Sequence, residues 1–143
     1  MEVVIIAGSK SDENLIKKVE ETLTEFKVTY ESFIASAHRD PERVKEIVNN
    51  SKAKLFIAIA GLSAALPGAI ASYTTRPVIG LPKNVKLEGL DSFLSMAQMP
   101  PGVPVATVGI DNAKNAAVLA VEILALSDPA LWERLQEYRE KNR

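Results

Sequence analysis

The sequence contains no cysteine, which excludes disulfide bonds, thiolate nucleophiles and metal sites built from cysteine. It contains one histidine in 143 residues, so a histidine-rich zinc site is excluded as well. Neither sign of charge is in excess, because 17 Lys and Arg residues stand against 18 Asp and Glu residues, for a net charge of -1. This balance gives no electrostatic reason to bind nucleic acid. From the residues alone we therefore expect no metal and no nucleic-acid partner.

Long hydrophobic runs are also absent. No apolar stretch reaches the roughly 18 residues that a membrane-spanning helix needs, and the amino terminus enters a strand pattern without the basic region of a signal peptide. Together with the lack of cysteine, these absences predict a cytoplasmic protein with no membrane partner. A chain of 143 residues, 47% of them hydrophobic, can bury a core of its own, and we expect residues 1–143 to form a single domain.

What the sequence does contain is a regular alternation of two hydrophobic patterns. Short apolar runs predict five strands, at residues 3–7, 28–34, 55–60, 77–80 and 103–108. Apolar residues at helical spacing predict helices after Asp12 and Asp40 as N-caps, from about Leu66, and over residues 92–97, 112–126 and 129–141. Strands that alternate with helices predict an α/β fold with a parallel sheet covered on both faces. We expect a three-layer flavodoxin-like sandwich with five parallel strands in the order 2-1-3-4-5, plus C-terminal helices.

The last two predicted helices carry more apolar surface than a monomer of this size covers easily. The helix over residues 112–126 is apolar nearly all round, and the final helix places Leu131, Leu135 and Tyr138 at helical spacing with Trp132 beside them. This excess predicts a homo-oligomer.

Three loops are expected to meet at one point of such a sheet. In open parallel sheets, ligands bind beyond the carboxyl ends of the strands, where the strand order reverses. For the order 2-1-3-4-5 this point lies between the first and third strands. The loops there are residues 8–12, 36–40 and 61–68, and the second of them holds the only histidine.

The first loop has the features of a phosphate-binding site. Gly8 allows a tight turn, Ser9 supplies a hydroxyl, and a helix N-terminus with free N–H groups follows. Asp12 is a carboxylate that can accept hydrogen bonds from two sugar hydroxyls at once. The loop matches neither the P-loop nor the dinucleotide-binding motif. Taken alone it is more typical of an ordinary helix start capped by Ser or Asp.

The second and third loops add a cation, an acid/base group and a flat surface. Arg39 has a forked cation suited to phosphate, Ser36 adds a hydroxyl, and His38 supplies the imidazole that most often serves as a general acid/base. The alternative for Arg39 is a surface ion pair, and for His38 a solvated loop position. Small residues around Gly61 and Leu66 allow a flat ligand to approach the backbone, although tight packing also favours them. The three loops together predict a small phosphorylated ligand and a carbon or proton-transfer reaction.

Six motifs in this order resemble one known family along nearly the full chain. They are G-S-K-S-D (8–12), S-A-H-R-D-P (36–41), A-G…A-A-L-P-G (60–68), P-V-I-G-L-P (77–82), G-L-D-S-F-L-S-M-A-Q-M-P-P-G-V-P-V-A-T-V (89–108) and N-A-A-V-L-A-V-E-I-L (115–124). The chain resembles the family of 5-(carboxyamino)imidazole ribonucleotide mutases and phosphoribosylaminoimidazole carboxylases of de novo purine synthesis. The resemblance implies a catalytic domain, a homo-octamer with sites at subunit contacts, and no metal or organic cofactor.

The resemblance also implies a substrate and roles for individual residues. The substrates are a phosphorylated imidazole ribonucleotide and CO2, and the reaction moves a carboxyl group from the exocyclic nitrogen to ring carbon 4. By this resemblance Ser9 and Arg39 bind the phosphate, with Gly8 and Ser36 in the same site. Asp12 binds the ribose and His38 is the catalytic acid/base. The loop with Gly61 and Leu66, and the Met99–Pro100 segment of a neighbouring subunit, are the walls around the imidazole.

The sequence departs from the resemblance at one position and leaves alternatives open. Bacterial mutases carry a second histidine where this chain has Ala65. The related carboxylases, which use CO2 directly, also vary in this segment and are the first alternative. A non-enzymatic flavodoxin-like nucleotide-binding module is the second. A phosphoreceiver needs an acidic residue where the third predicted strand ends in Ala60 and Gly61, and the loops offer no aromatic residue to stack on a flavin.

Overall fold

The computed structural model describes all 143 residues, with five strands and six α-helices. The strands are β1 (Val3–Ala7), β2 (Tyr30–Ile34), β3 (Leu55–Ala60), β4 (Val78–Pro82) and β5 (Ala106–Thr107). The helices are α1 (Glu13–Glu25), α2 (Pro41–Asn50), α3 (Leu66–Tyr73), α4 (Leu90–Ala97), α5 (Ala113–Ala125) and α6 (Pro129–Lys141). Two short 3₁₀ turns, Lys10–Asp12 and Leu87–Gly89, precede α1 and α4.

The strands form one parallel sheet in the order β2-β1-β3-β4-β5, which confirms the predicted topology. At the carboxyl edge Ala7 lies between Ile34 of β2 and Ile59 of β3. The loops after these three strands therefore leave the sheet side by side. This is the switch point at which the sequence predicted a ligand site.

The sheet separates two hydrophobic cores. Along β1 the side chains alternate, so that Val3 and Ile5 face α1, α5 and α6, whereas Val4 and Ile6 face α2, α3 and α4. Every residue of β1, β3 and β4 is buried, which is why these strands read as continuous apolar runs. Each fully buried aliphatic side chain contributes about 1.5–3 kcal/mol relative to an exposed one.

Three strands have boundaries that differ from the predicted ones. The fourth was predicted over residues 77–80 and comprises Val78–Pro82, because its pairing with β3 continues as far as Ala60 and Pro82. We expected β2 to begin at Val28, but the Val28 N–H donates to the Leu23 carbonyl (2.9 Å) and closes the end of α1, so pairing starts at Tyr30. The fifth strand was predicted over residues 103–108 and comprises only Ala106–Thr107. Pro104 lies in the predicted segment, has no N–H for a ladder hydrogen bond, and leaves this edge strand short.

The two C-terminal helices were predicted correctly to within two residues. In α5 the residues Ala116, Ala117, Ala120 and Val121 are fully buried, and α6 buries Leu131 and Leu135 in the same core. No helix of the structure combines the length and the apolar character needed to cross a membrane.

Candidate active site

A cavity of about 360 Å³ lies at the carboxyl edge of the sheet, over the switch point. Its volume lies in the range of small-molecule sites. All eight residues that the sequence singled out line it, namely Gly8, Ser9, Asp12, Ser36, His38, Arg39, Gly61 and Leu66. The structure thus brings the three loops together, while the roles of these residues stay predictions.

The first loop is held by a capping box one turn earlier than the sequence indicated. Ser9 caps the 3₁₀ turn Lys10–Asp12, since its Oγ accepts from the Ser11 N–H (3.3 Å) and its own N–H donates to Asp12 Oδ2 (3.1 Å). Asp12 does precede α1, but its side chain makes no capping bond to that helix. Asp12 therefore occupies the predicted N-cap position of α1, but its carboxylate is used inside the loop and does not cap that helix.

The second oxygen of Asp12 pairs with a residue that the sequence reasoning missed. Lys83, directly after β4, donates from Nζ to Asp12 Oδ1 (3.0 Å) and to the Ser11 carbonyl (2.7 Å). The Asp12 side chain is 5% exposed and that of Lys83 is 21% exposed. The available signal was the position of Lys83 at the carboxyl end of a strand adjacent to β3.

The second loop shows its charged side chains to the solvent. Ser36 Oγ accepts from the Arg39 N–H (3.1 Å), and Asp40 Oδ1 accepts from the Arg43 N–H (3.2 Å), which confirms the predicted N-cap of α2. His38 and Arg39 are both exposed and line the cavity. The Arg39 guanidinium has no hydrogen bond and no ion pair, so the alternative of a surface ion pair is not what the structure shows.

The third loop forms a close-packed wall. A Cβ at Gly61 would collide with the side chain of Val85, another lining residue that sequence reasoning missed. Ser63 adopts a left-handed φ of 45°, a costly conformation for a residue with a Cβ. Ala65 also lines the cavity, and Leu66 is buried at the start of α3.

The Met99–Pro100 segment lies elsewhere in the same chain. Met99 packs on α3, where its Sδ would be 3.0 Å from a Cβ on Gly68. Neither Met99 nor Pro100 lines the cavity of its own chain. Its contribution from a neighbouring subunit stays a prediction.

The side chains around the cavity define the chemistry that it can support. It offers one unpaired guanidinium, four serine hydroxyls, one buried carboxylate and one imidazole. The structure brings together no group of three or more His, Asp and Glu side chains that could hold a metal ion. These groups suit an anion with hydroxyl groups and a proton transfer by His38.

Comparisons with known proteins agree with one another. The family model described as AIR carboxylase matches residues 2–143. A relative from Methanocaldococcus jannaschii, named N5-carboxyaminoimidazole ribonucleotide mutase, is 60% identical over 139 residues, which cover 97% of this chain and 88% of the relative. A relative of the same name from Thermotoga maritima is 49% identical over 143 residues, covering 97% and 84% of the two chains.

A solved structure gives the same result in three dimensions. The crystal structure of Treponema denticola PurE superposes with a TM-score of 0.89 at 32% identity, covering 98% of this chain and 90% of that one. The match of the family model over nearly all residues and the high identity to the relatives lead to one conclusion. The chain belongs to the AIR carboxylase family.

Proposed function

We propose that this protein converts 5-(carboxyamino)imidazole ribonucleotide to 4-carboxy-5-aminoimidazole ribonucleotide in de novo purine biosynthesis. The observation that carries the proposal is the cavity, where the unpaired Arg39 and the only histidine lie beside the loops of Ser9 and Gly61. The relatives named as mutases support this isomerisation and favour neither the carboxylase nor the non-enzymatic module. Ala65, in place of a second histidine, is compatible with the mutase activity in this proposal.

The reaction needs one proton carrier. The exocyclic nitrogen takes up a proton as its C–N bond to the carboxyl group breaks and CO2 is released. Ring carbon 4 then forms a bond to CO2, and the proton on that carbon leaves. One proton is taken up and one is given back, so a single acid/base group serves both steps, and His38 is the histidine available.

The other side chains hold the ribonucleotide in place. Arg39 and Ser9 bind the phosphate, with Gly8 and Ser36 beside them, because a forked cation and a hydroxyl donor match phosphate oxygens. Asp12 accepts from the ribose hydroxyls. The Gly61–Leu66 wall keeps released CO2 next to carbon 4, which converts recapture into an intramolecular step.

A product assay tests the proposal. The purified protein is offered the carboxyamino ribonucleotide at low CO2 or, separately, aminoimidazole ribonucleotide with excess CO2. We expect carboxylated product efficiently from the first substrate. Efficient product from the second alone would establish a CO2-using carboxylase, and no product from either would overturn the enzymatic function.

Assembly into a homo-octamer is part of the proposal. It is supported by large apolar side chains that one chain leaves exposed, among them Leu87 (74%), Leu126 (79%) and Trp132 (50%). In the assembly Met99 and Pro100 complete the site of a neighbouring subunit. Sedimentation equilibrium should give eight times the 15.5 kDa of one chain, and a monomeric mass would contradict it.

Three further expectations belong to the proposal. We propose that residues 1–143 act as one catalytic domain, that the protein works in the cytoplasm, and that it binds no nucleic acid. Cell fractionation and a nucleic-acid binding assay at low salt check the last two.

A further inference from the structure

Lys83 and Asp12 form the most buried ion pair of the molecule. The other three ion pairs have both side chains at least 42% exposed, whereas here the values are 21% and 5%. Exposed pairs contribute little to stability, while a buried carboxylate without a partner is costly. Loss of Lys83 would therefore leave the buried Asp12 carboxylate without its cation, whereas the members of the surface pairs stay solvated when a partner is lost.

The backbone of Lys83 is fixed on both sides. Its N–H donates to the Ala60 carbonyl at the end of β3 (3.0 Å), and its carbonyl accepts from Ser92 Oγ (2.9 Å). Ser92 is buried and also donates to the Gly89 carbonyl (2.9 Å). The backbone from which the Lys83 side chain extends is thus held in place by hydrogen bonds on both sides.

The ammonium group in turn fixes the first loop. It donates to the Ser11 carbonyl and to Asp12 Oδ1, while Asp12 Oδ2 accepts from the Ser9 N–H. Each carboxylate oxygen has one donor, which sets the plane of the carboxylate. Each oxygen also has a lone pair left for a hydroxyl donor from the cavity.

Asp12 lines the cavity and Lys83 does not. Lys83 therefore acts on a ligand through Asp12 and not by direct contact. We infer that Lys83 is a positioning residue, which holds the Asp12 carboxylate in the orientation that accepts hydrogen bonds from the ribose hydroxyls of the substrate. The inference rests on the proposed function, since it takes the ligand of Asp12 to be the ribose of the ribonucleotide.

The test compares Lys83→Met with the parent on two substrates, the ribonucleotide and its analogue that lacks a ribose hydroxyl. With the ribonucleotide we expect KM to rise at least about tenfold and kcat to fall less than about threefold, because hydrogen bonds to a charged partner are lost in binding. With the deoxy analogue we expect the KM of the variant to approach that of the parent. Lys83→Arg should restore much of the ribonucleotide KM, because it returns a donor cation to Asp12.

Two controls keep the result specific. Lys86→Met removes the same charge from the same connection, at an exposed side chain without a hydrogen bond, and should leave both KM values unchanged. Thermal unfolding shows whether Lys83→Met is folded, and Lys83→Gln takes its place in the same comparison if it is not.

The outcomes separate this inference from the proposed function. Equal increases in KM for both substrates, a loss confined to kcat, or no change in Lys83→Met would overturn the positioning role alone. A parent protein that does not convert the ribonucleotide would overturn both.

Discussion

An arginine lies at each end of α2, Arg39 in the loop before it and Arg76 in the connection between α3 and β4, and the two are used in opposite ways. At the carboxyl end, Arg76 donates to the carbonyls of Val48, Ser51 and Ala53 at 2.7–2.9 Å, and also to Thr74 Oγ1. At the amino end, the Arg39 guanidinium has no protein partner and lines the cavity.

The two arginines differ in whether their guanidinium groups have partners within the protein. The last carbonyls of a helix need donors from outside the helix. Arg76 supplies one to Val48 of α2 and one to its C-cap Ser51, and its guanidinium carbon lies 4.7 Å from the centre of the Phe56 ring. The hydrogen-bond donors of Arg76 are therefore occupied by contacts that stabilise the fold. The Arg39 guanidinium keeps all its donors for a ligand, and the His38 side chain beside it has no hydrogen-bond partner either. One end of the helix serves stability, and we expect the other to serve binding and catalysis.

The largest effect is expected for His38→Asn, at the amino end. Asparagine keeps a polar side chain but cannot carry the proton, so product formation should fall by about 10²–10⁴-fold. The melting temperature should stay within a degree or two of the parent, on the order expected for an exposed side chain without partners. Steady-state kinetics and thermal unfolding measure both. Activity within threefold of the parent would remove His38 from the mechanism.

Arg76→Met probes the carboxyl end. It leaves three carbonyls without their donors, so the free energy of unfolding should fall by about 2–4 kcal/mol. The kcat of the folded variant should change less than about twofold, because the ten-residue helix separates Arg76 from His38 by roughly 15 Å. Urea unfolding followed by circular dichroism, and an assay well below the transition, provide the two values. A large loss of kcat without loss of stability would reverse the assignment of the two ends.

Arg39→Met should give the opposite profile. We expect KM for the ribonucleotide to rise by about 10–100-fold, since hydrogen bonds to a charged group are worth about 1.5–3 kcal/mol. Stability should not change, because Arg39 has no partner to lose. Arg39→Lys keeps the charge without the planar guanidinium, and its KM should lie between those of the parent and Arg39→Met. If Arg39→Met lowered stability while KM stayed constant, the proposed phosphate contact would be wrong.

The sequence predicted the amino end of α2 better than the carboxyl end, for a physical reason. The motif Asp40–Pro41 is a local signal of helix initiation, and the order of strands brings the loop of His38 to the switch point. The partners of Arg76 and Lys83 are set by tertiary packing. Lys83 meets Asp12 across 71 sequence positions, and no periodicity encodes such a contact. The unpaired state of Arg39 is likewise visible only once every nearby acid has been placed.

A third arginine, Arg43 in the first turn of α2, tests how far the comparison holds. Arg43 in α2 pairs with Glu46 at 3.1 Å, and the two side chains are 47% and 58% exposed. Such a pair contributes less than about 0.5 kcal/mol, so Arg43→Met should leave the urea midpoint nearly unchanged. It removes one positive charge only four residues from Arg39, at a side chain that does not line the cavity. KM for the ribonucleotide should therefore stay within about twofold, measured at low and at physiological salt because long-range attraction is screened. An increase in KM as large as that of Arg39→Met would mean that substrate binding depends on the total positive charge near α2. The Arg39 guanidinium would then have no specific contact with the phosphate.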